Sequence, residues 1–191
     1  MTAILEALLL KVPETVQSER LVLRATRAGM GEAVAGAVRE SGRELERWMA
    51  WARAARGAGE SERHCREMQL KWHAREELDF CFHRRSDGIL VGKGGFHTID
   101  WAIPKLEIGY WIRSSCVGEG YATEAVLALA GMARASLDAN RLEISCDARN
   151  AASRRVAEKA GFTREGVLRS YAVMKGRVTD ITMFSLLPEE G

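Results

Sequence analysis

The sequence lacks an excess of charge of either sign. Its 191 residues carry 28 lysines and arginines against 26 aspartates and glutamates, which leaves a formal net charge of +2 with histidine neutral. A balance this even, without a long basic block, argues against a surface built to neutralise nucleic-acid phosphates or anionic lipid. We therefore expect no direct nucleic-acid binding and no membrane association.

Proline and cysteine are also scarce. Three prolines and no Ser/Gly-rich linker give no sign of a domain boundary, and the length suits one globular domain. The four cysteines are scattered, with no Cys-x-x-Cys pair and no histidine at ligand spacing, which argues against a zinc site or a disulfide framework. The sequence thus predicts a protein without a metal, its cysteines reduced and mostly buried.

Long hydrophobic runs are missing as well. No apolar stretch approaches the roughly 20 residues that cross a bilayer. The apolar segment near the N-terminus contains Glu6 and has no basic region before it, so it does not resemble a secretory signal. These features predict a cytoplasmic protein. Residues 1–17 are expected to pack either on the chain's own domain or on a partner subunit in a homodimer.

What is present is a succession of periodic segments. Alternation and helical spacing predict a strand at 19–24, two helices over 29–51 broken near 41–42, a helix at 61–77, strands at 79–84, 90–99 and 106–112, a helix at 120–136, a strand at 141–146, a helix at 151–160 and a final hairpin at 171–187. This order is typical of an α/β protein with a mixed sheet. The strands that flank the helix at 120–136 form the one right-handed crossover candidate, and we expect them to run parallel.

A glycine-rich turn, VGEGYA at 117–122, lies between the strand at 106–112 and the helix that follows. The first amides of a helix have no internal partners and the helix dipole is positive there, so this turn is suited to an anion such as a phosphate. A tight turn without a ligand is an equally open interpretation. Two other phosphate-binding motifs fit the sequence poorly. A Rossmann fingerprint needs a third glycine or alanine where this chain has Thr123, and a Walker A loop needs flanking residues that Gly92-Lys93-Gly94 lacks.

Four stretches stand out together: LEIGYWI at 106–112, GEGYATEA at 118–125, NAASRR at 150–155 and KAGF at 159–162. In combination they resemble the acetyl-CoA-binding core of the GCN5-related N-acetyltransferases. The ERLVLR motif at 19–24 further resembles the branch of the ribosomal-protein alanine and serine N-acetyltransferases. The resemblance implies one N-acetyltransferase domain at 18–191, with residues 1–17 outside it.

The resemblance implies a fold and a co-substrate. The fold is a single-domain α/β structure with a mixed, mostly antiparallel sheet flanked by helices and a V-shaped opening between strands four and five. Acetyl-CoA is the co-substrate, and no metal is involved. In the family the turn holds the pyrophosphate through its backbone, while strand four and the start of the next helix hold the pantetheine arm. The cofactor-binding residues implied in this way are Tyr110, Trp111, Ile112, Val117, Gly118, Glu119, Gly120, Tyr121, Ala122, Thr123, Asn150 and Ser153.

The resemblance also implies catalytic residues. Ser153 matches a serine that is proposed to protonate the departing thiolate. The general base is harder to assign, because Ala172 and Ala157 stand where relatives carry a glutamate and a tyrosine. We therefore predict Glu107 as a second catalytic residue. The other candidates for the base are Tyr171 and Asp180. A protein α-amino group has a pKa of about 8, so water or the neutral fraction of the acceptor can replace a base.

The motifs leave the acceptor open. Trp48 and Trp51 fall in early helices that form one wall of the acceptor site in the family, although amphipathic helices also commonly bury tryptophan as core. We predict direct transfer of acetyl to an amine, either a protein N-terminus of the ribosomal-protein type or a small-molecule amine. The alternative is a catalytically weakened coenzyme A-binding protein, because Val117 and Ala172 occupy positions where the family usually has functional side chains.

Overall fold

A computed structural model describes residues 2–53 and 57–188 of the chain. Its α-helices are α1 (Thr2–Leu9), α2 (Gly31–Glu40), α3 (Gly42–Trp48), α4 (Ala58–Ala74), α5 (Tyr121–Leu137) and α6 (Ala151–Lys159). Its strands are β1 (Thr15–Gln17), β2 (Leu21–Ala25), β3 (Leu78–Arg84), β4 (Leu90–Asp100), β5 (Lys105–Ile112), β6 (Arg141–Asp147), β7 (Thr163–Met174) and β8 (Arg177–Leu186). Short 3₁₀ turns follow α3 at Ala50–Arg53 and β5 at Ser114–Cys116.

The strands form one sheet in the order β1-β2-β3-β4-β5-β6-β8-β7. Every neighbouring pair among these strands is antiparallel except β5 and β6, which are parallel. The connection through α5 produces this exception, because a strand that returns through a crossover helix enters the sheet in the same direction. The predicted single-domain α/β fold with a mostly antiparallel mixed sheet is confirmed.

β5 and β6 separate along their length. Their last paired position joins Glu107 to Glu143, although the strands continue to Ile112 and Asp147. β6 instead pairs with β8 from 142 to 147, so it diverges from β5 at this end. This divergence is the predicted V-shaped opening. The predicted strands four and five are β5 and β6 here, because the three-residue β1 was not predicted and shifts the count.

Two helical layers cover the sheet. α5 and α6 pack on the face that carries Leu106 and Ile108, within the larger hydrophobic core. Alternation along β5 directs Trp111 to the opposite face, where it packs with Val34 and Val38 of α2. α4 lies beside α2 on this second face. The two faces of β5 are therefore covered by different helices, one by α5 and α6 and the other by α2 and α4.

The largest differences from the predicted element boundaries lie in α4 and in the final hairpin. α4 begins at Ala58 and not at Ser61, because the Glu60 carboxylate accepts a hydrogen bond from the Gly57 amide at 2.9 Å and caps the helix earlier. Ser61 is instead a buried residue of the first turn. The final hairpin is longer than predicted, since β7 begins at Thr163 and two irregularities in its pairing with β8 interrupt the alternation.

The segment before β2 contacts the rest of the domain. Arg75, which follows α4, donates hydrogen bonds to the carbonyls of Ala7 and Leu10 at 3.2 and 2.8 Å. β1 pairs with β2 and extends the sheet by one strand. Across residues 2–53 and 57–188, no helix has both the length and the apolar character that a bilayer crossing requires.

Candidate active site

The turn before α5 presents a row of backbone amides at the helix N-terminus. Within the described part of the chain, the amides of residues 118–123 donate to no acceptor, and the first amide that does so is that of Glu124, to the Gly120 carbonyl at 3.1 Å. Gly118 and Gly120 have φ values of +91° and +83°, a left-handed backbone that glycine adopts without strain. These amides, which we call the cradle (residues 118–123), fit the pyrophosphate of coenzyme A, because the dipole of a 17-residue helix adds to their positive potential.

Arg20 braces the cradle from the side of β2. Its guanidinium donates to the Glu124 carboxylate at 2.7 Å and to the Glu119 carbonyl at 2.9 Å, and it lies 4.8 Å from the centre of the Tyr121 ring. The same carboxylate accepts from Ser18 Oγ at 2.7 Å. Burial raises the pKa of Glu124, but hydrogen bonds from the Arg20 amide at 2.7 Å, from Ser18 and from the Arg20 guanidinium outweigh it, so the pKa is lowered. Sequence reasoning missed this contact, because only the tertiary fold joins residues 104 positions apart.

The strand end that leads into the cradle is fixed by Glu40 at the end of α2. Its carboxylate accepts hydrogen bonds from the Arg113 guanidinium at 2.7 Å and from the Ser115 amide at 3.0 Å. These bonds, with that of Arg113 the largest cause, lower the pKa of Glu40 from 4.5 to about 2. Beside it, Ser41 Oγ accepts from the Ser114 amide at 2.9 Å. The segment before the cradle is therefore tied to the α2/α3 junction.

The peptide groups on the open side of β5 belong to alternate residues. The Arg113 amide donates to the Val91 carbonyl of β4 at 2.8 Å, and the Trp111 carbonyl also lies against β4. Alternation therefore directs the peptide groups of Tyr110 and Ile112 away from β4 and into the opening. Of the three predicted pantetheine-binding positions, these two offer donors and acceptors to a ligand, whereas the backbone of Trp111 is engaged with the sheet.

Asn150 and Ser153 lie at the start of α6, across the opening from β5. Asn150 Oδ1 accepts a hydrogen bond from the Ser153 amide at 3.1 Å, so Asn150 caps the helix and its NH2 group remains to bind a ligand. Ser153 Oγ lies 3.0 Å from the hydroxyl of Tyr110. Burial raises the pKa of Tyr110 to about 12, while the contact with Ser153 acts in the opposite direction. The phenol is consequently protonated at neutral pH.

Glu107 lies at the last paired position of β5 and β6, just before the opening. Its carboxylate accepts a hydrogen bond from Ser145 Oγ, and its other oxygen lies 3.9 Å from Nδ1 of His97. The His97 ring lies over Gly109, where an added Cβ would approach Nε2 to 2.7 Å. A side chain at 109 would therefore require the His97 ring to move. Sequence reasoning missed His97, because strand register alone brings it opposite Glu107.

A chamber of about 480 Å³ lies between the sheet and the α2/α4 layer and reaches β5 at 109–111. Trp51 lines it, with its ring centre 6.2 Å from that of Trp111. Trp48 lies elsewhere, because α3 ends there and the following 3₁₀ turn redirects the chain. Its ring stacks on the Arg47 guanidinium at 4.7 Å and borders a separate, smaller cavity next to the β7–β8 hairpin. The structure thus brings Trp51, and not Trp48, to the chamber.

The other candidates for the base lie on the β7–β8 hairpin, outside the chamber. Tyr171 is 67% exposed, and the Asp180 carboxylate accepts a hydrogen bond from the Ser170 amide at 2.8 Å. Ala157, a residue of α6, is fully buried in the core.

In the described ranges, no group of three or more His, Cys, Asp and Glu side chains is arranged to hold a metal ion.

A mixed sheet whose two parallel strands part beside a backbone anion cradle is the architecture that the sequence resemblance implied for an acetyl-CoA-binding domain. A family model described as "Acetyltransferase (GNAT) domain" matches residues 20–163. The chain belongs to the GNAT acetyltransferase family. Relatives to which the chain is similar in sequence are named as N-acetyltransferases.

Two curated relatives and one solved structure illustrate this. "Uncharacterized N-acetyltransferase p20" of Bacillus licheniformis is 39% identical over 101 residues, which are 53% of this chain and 57% of the relative. "Ribosomal-protein-serine acetyltransferase" of Escherichia coli (strain K12) is 30% identical over 96 residues, which are 50% of this chain and 54% of the relative. The chain thus spans little more than half the length of these relatives. The structure of Mycobacterium smegmatis RimJ in complex with CoA-disulfide has a TM-score of 0.85 at 25% identity, covering 93% of this chain and 89% of that one.

Proposed function

We propose that the protein is an acetyl-CoA-dependent N-acetyltransferase that transfers acetyl directly to an amine. The observation that carries this proposal is the convergence of three features at one end of β5: the cradle, the opening between β5 and β6, and the chamber. A co-substrate held by the first two would present its thioester to an acceptor in the third. The cytoplasmic location predicted from the sequence is part of the same proposal.

Acetyl-CoA, when bound, supplies the acetyl thioester. The cradle amides would bind its pyrophosphate, and the peptide groups of Tyr110 and Ile112, with the NH2 of Asn150, would bind the pantetheine arm. The Val117 side chain is 65% exposed and adds no donor to the cradle. Arg20 instead brings positive charge beside it, as its contact with the Glu119 carbonyl indicates.

Two hydroxyl groups would serve the departing thiolate. A thiol of the cysteine type has a pKa of about 8.5, which lies above neutral pH. The departing thiolate of coenzyme A therefore takes up a proton as it leaves. Ser153 would donate that proton as the C–S bond breaks, Tyr110 would pass its own proton to Ser153 across the 3.0 Å contact, and a proton from water would then restore the Tyr110 phenol. Both hydroxyls lie at the opening between β5 and β6, where the pantetheine arm would end.

The acceptor amine would approach from the chamber and lose its proton there. His97 lines the chamber and would accept this proton as the base. Glu107 does not line the chamber, and its carboxylate lies 3.9 Å from His97 Nδ1, which contacts Thr98 Oγ1 at 3.0 Å, so Glu107 would act only through the charge that it places beside the ring. A protein α-amino group, with a pKa of about 8, is partly neutral at physiological pH and demands little of this base. His97→Gln is expected to lower kcat in the thiol-release assay, because the variant lacks the imidazole that would accept the proton of the amine.

A protein N-terminal amine is the favoured acceptor, and a small-molecule amine is the other. The name of the Escherichia coli relative, a ribosomal-protein-serine acetyltransferase, supports the first. The chamber, at about 480 Å³, is large enough for the first residues of a peptide or for one small molecule.

The deciding experiment measures free-thiol release from acetyl-CoA with peptides and small amines, alongside calorimetric binding of coenzyme A. Turnover with an amine above the rate with water supports the enzyme. Micromolar coenzyme A binding without turnover for any acceptor would favour the weakened coenzyme A-binding protein. An absence of coenzyme A binding contradicts both functions.

We also propose a homodimer that uses the exposed side of α1. Leu5 and Leu9 are 58% and 83% exposed there, which is unusual for neighbouring leucines on one short helix. Leu5→Ser/Leu9→Ser is expected to convert a dimer to a monomer in light scattering. Leu70→Ser, at a leucine of α4 that is 71% exposed, is the matched control and should leave the mass unchanged.

A further inference from the structure

The chamber has a buried polar floor that the proposed reaction does not use. Lys93 lies on β4 with its side chain 3% exposed, and its ammonium forms an ion pair with Asp79 of β3. The same ammonium lies 3.3 Å from His64 Nε2 of α4. All three side chains line the chamber, whose other walls include apolar groups such as Met68 and Trp51. A buried lysine needs a reason, because desolvation of its charge is costly.

Ser61 adds an incomplete hydrogen bond to this floor. It lies one turn before His64 on α4, lines the same chamber and is 1% exposed. Its hydroxyl has no hydrogen-bond partner among residues 2–53 and 57–188. A buried hydroxyl without a partner is unfavourable, and serines in helices usually bond to a carbonyl of the preceding turn. Ser61 is therefore placed to bind a group that enters the chamber.

The charges of the floor balance. Burial alone would lower the pKa of Lys93, but Asp79 outweighs it and the pKa is raised, so the ammonium is charged. Burial and then Lys93 lower the pKa of His64 against the opposing carboxylates, so the imidazole is neutral and accepts from Lys93. With bonds to Asp79 and His64, the ammonium retains one of its three N–H donors. The Lys93–Asp79 pair has no net charge, so the floor offers a donor and a hydroxyl, while Lys71 pairs with Glu67 and Glu77 elsewhere on the chamber wall.

We propose that this floor binds a hydroxyl group of the acceptor, a few bonds away from the amine that is acetylated. A hydroxyl can accept a hydrogen bond from the remaining N–H of the Lys93 ammonium and can donate to or accept from Ser61 Oγ. It therefore gives both groups the hydrogen-bond partner that they lack. An acceptor carboxylate would face Asp79, an ammonium would face Lys93, and a methyl group would leave both polar groups without a partner. The inference rests on the proposed function and names its substrate class, a hydroxyl-bearing primary amine.

This chemistry has two sources, a peptide that begins with serine or threonine and a small amino alcohol. We would measure kcat/KM for the tripeptides Ser-Ala-Ala, Ala-Ala-Ala and Asp-Ala-Ala, and for 2-aminoethanol against propylamine. The hydroxyl-bearing member of either set is expected to be preferred by about fivefold or more, the worth of one net hydrogen bond. Preference only among peptides identifies a protein N-terminus, and preference only among small amines identifies an amino alcohol. Equal use of the members of both sets would overturn the proposal while leaving the proposed function intact.

Ser61→Ala separates recognition from folding. The variant removes a hydroxyl without a partner, so its melting temperature should be equal or higher, while the preference for hydroxyl-bearing acceptors should disappear. Ser185→Ala is the control, since Ser185 is similarly buried, at 3% exposed, but its hydroxyl donates to Glu165 of β7, away from the chamber. That variant should keep the preference. A Ser61→Ala enzyme with the wild-type preference would contradict the assignment.

Binding without turnover gives a second readout. Trp51 and Trp111 line the chamber, so the N-methylated, unreactive form Me3-Ser-Ala-Ala is expected to change tryptophan fluorescence without acetyl-CoA. Its affinity should exceed that of Me3-Ala-Ala-Ala in the wild type and match it in Ser61→Ala. This comparison holds even if no amine is acetylated, so it distinguishes failure of the inference from failure of the proposed function. Equal affinities in the wild type would overturn the inference.

Discussion

The hydroxyl of Tyr110 on β5 lies 3.0 Å from Ser153 Oγ at the start of α6, so the two residues bridge the gap that the parted strands leave. Tyr110 is directed to this side by strand alternation, and Ser153 is held by the Asn150 cap. The contact joins a buried, protonated phenol to a hydroxyl at the helix N-terminus. We propose this pair as the proton donor, because Ala157 stands where relatives carry a tyrosine.

Tyr110→Phe and Ser153→Ala are each expected to lower kcat by about tenfold to hundredfold, because each interrupts the proton path to the thiolate. The affinity for coenzyme A should change by no more than about fivefold, the worth of one hydrogen bond. Steady-state thiol release and calorimetry measure the two effects separately. The double variant should be no slower than the slower single variant, since the groups act in series. Full turnover by Ser153→Ala would remove that residue from the mechanism.

Gly120→Ala tests the cradle. At φ +83° an alanine costs about 1–2 kcal/mol in backbone strain, and relief of that strain would move the amides that point at the ligand. We expect the free energy of unfolding to fall by that amount and coenzyme A binding to weaken by at least tenfold. Gly161→Ala, at φ +84° after α6 with open space around it, is the matched control. The free energy of unfolding of Gly161→Ala should fall by the same amount, while its affinity for coenzyme A should stay unchanged. Equal losses of affinity in both variants would mean that the cradle does not bind the cofactor.

The sequence predicted the elements that carry regular patterns. The parallel pair 106–112 and 141–146, the break between α2 and α3 near 41–42 and the turn before α5 all follow from local signals such as spacing and glycine. The structure confirms the fold built from them. β1 was missed because three residues carry no readable period, and the start of β7 was missed because bulges break alternation.

The candidate site divides in the same way. The cradle could be predicted because its chemistry depends on backbone amides next to each other in the chain. The Arg20–Glu124 pair, the His97–Glu107 contact and the Lys93 floor could not, since each joins side chains from different elements. Strand register and helix packing decide such contacts, and a single sequence does not encode them in a local pattern.

Arg20→Ala is expected to weaken coenzyme A binding by about tenfold with little change in kcat. The substitution leaves the Glu124 carboxylate, 14% exposed, without its cation and beside the cradle that we propose for the pyrophosphate. Arg20→Ala/Glu124→Gln should recover part of the affinity, because it removes the unpaired charge. Arg27→Ala is the control, since its ion pair with Glu14 leaves both side chains about half exposed and contributes little. If Arg27→Ala weakened binding equally, a general loss of positive charge would explain both results.

The ion pair of Glu40 makes stability depend on pH. Its pKa is about 2 in the folded protein and 4.5 ordinarily, so its contribution is present above pH 4.5 and is lost as pH falls from there toward 2. The contribution is about 1–2 kcal/mol, since the side chain is 32% exposed and solvent screens the pair. Urea unfolding of the wild type and of Glu40→Gln measures it directly. The difference in free energy of unfolding should be largest near pH 6 and shrink toward pH 3.

Glu32→Gln is the matched control for this titration. It lies on the same helix, but its side chain is 75% exposed and its bond to Arg39 is 3.2 Å long, so its effect should be small at every pH. Because Glu40 holds Arg113 and Ser115 just before the cradle, coenzyme A affinity should fall in Glu40→Gln and not in Glu32→Gln. A stability difference for Glu40→Gln that stayed constant from pH 6 to pH 3 would show that the carboxylate charge does not hold this segment in place.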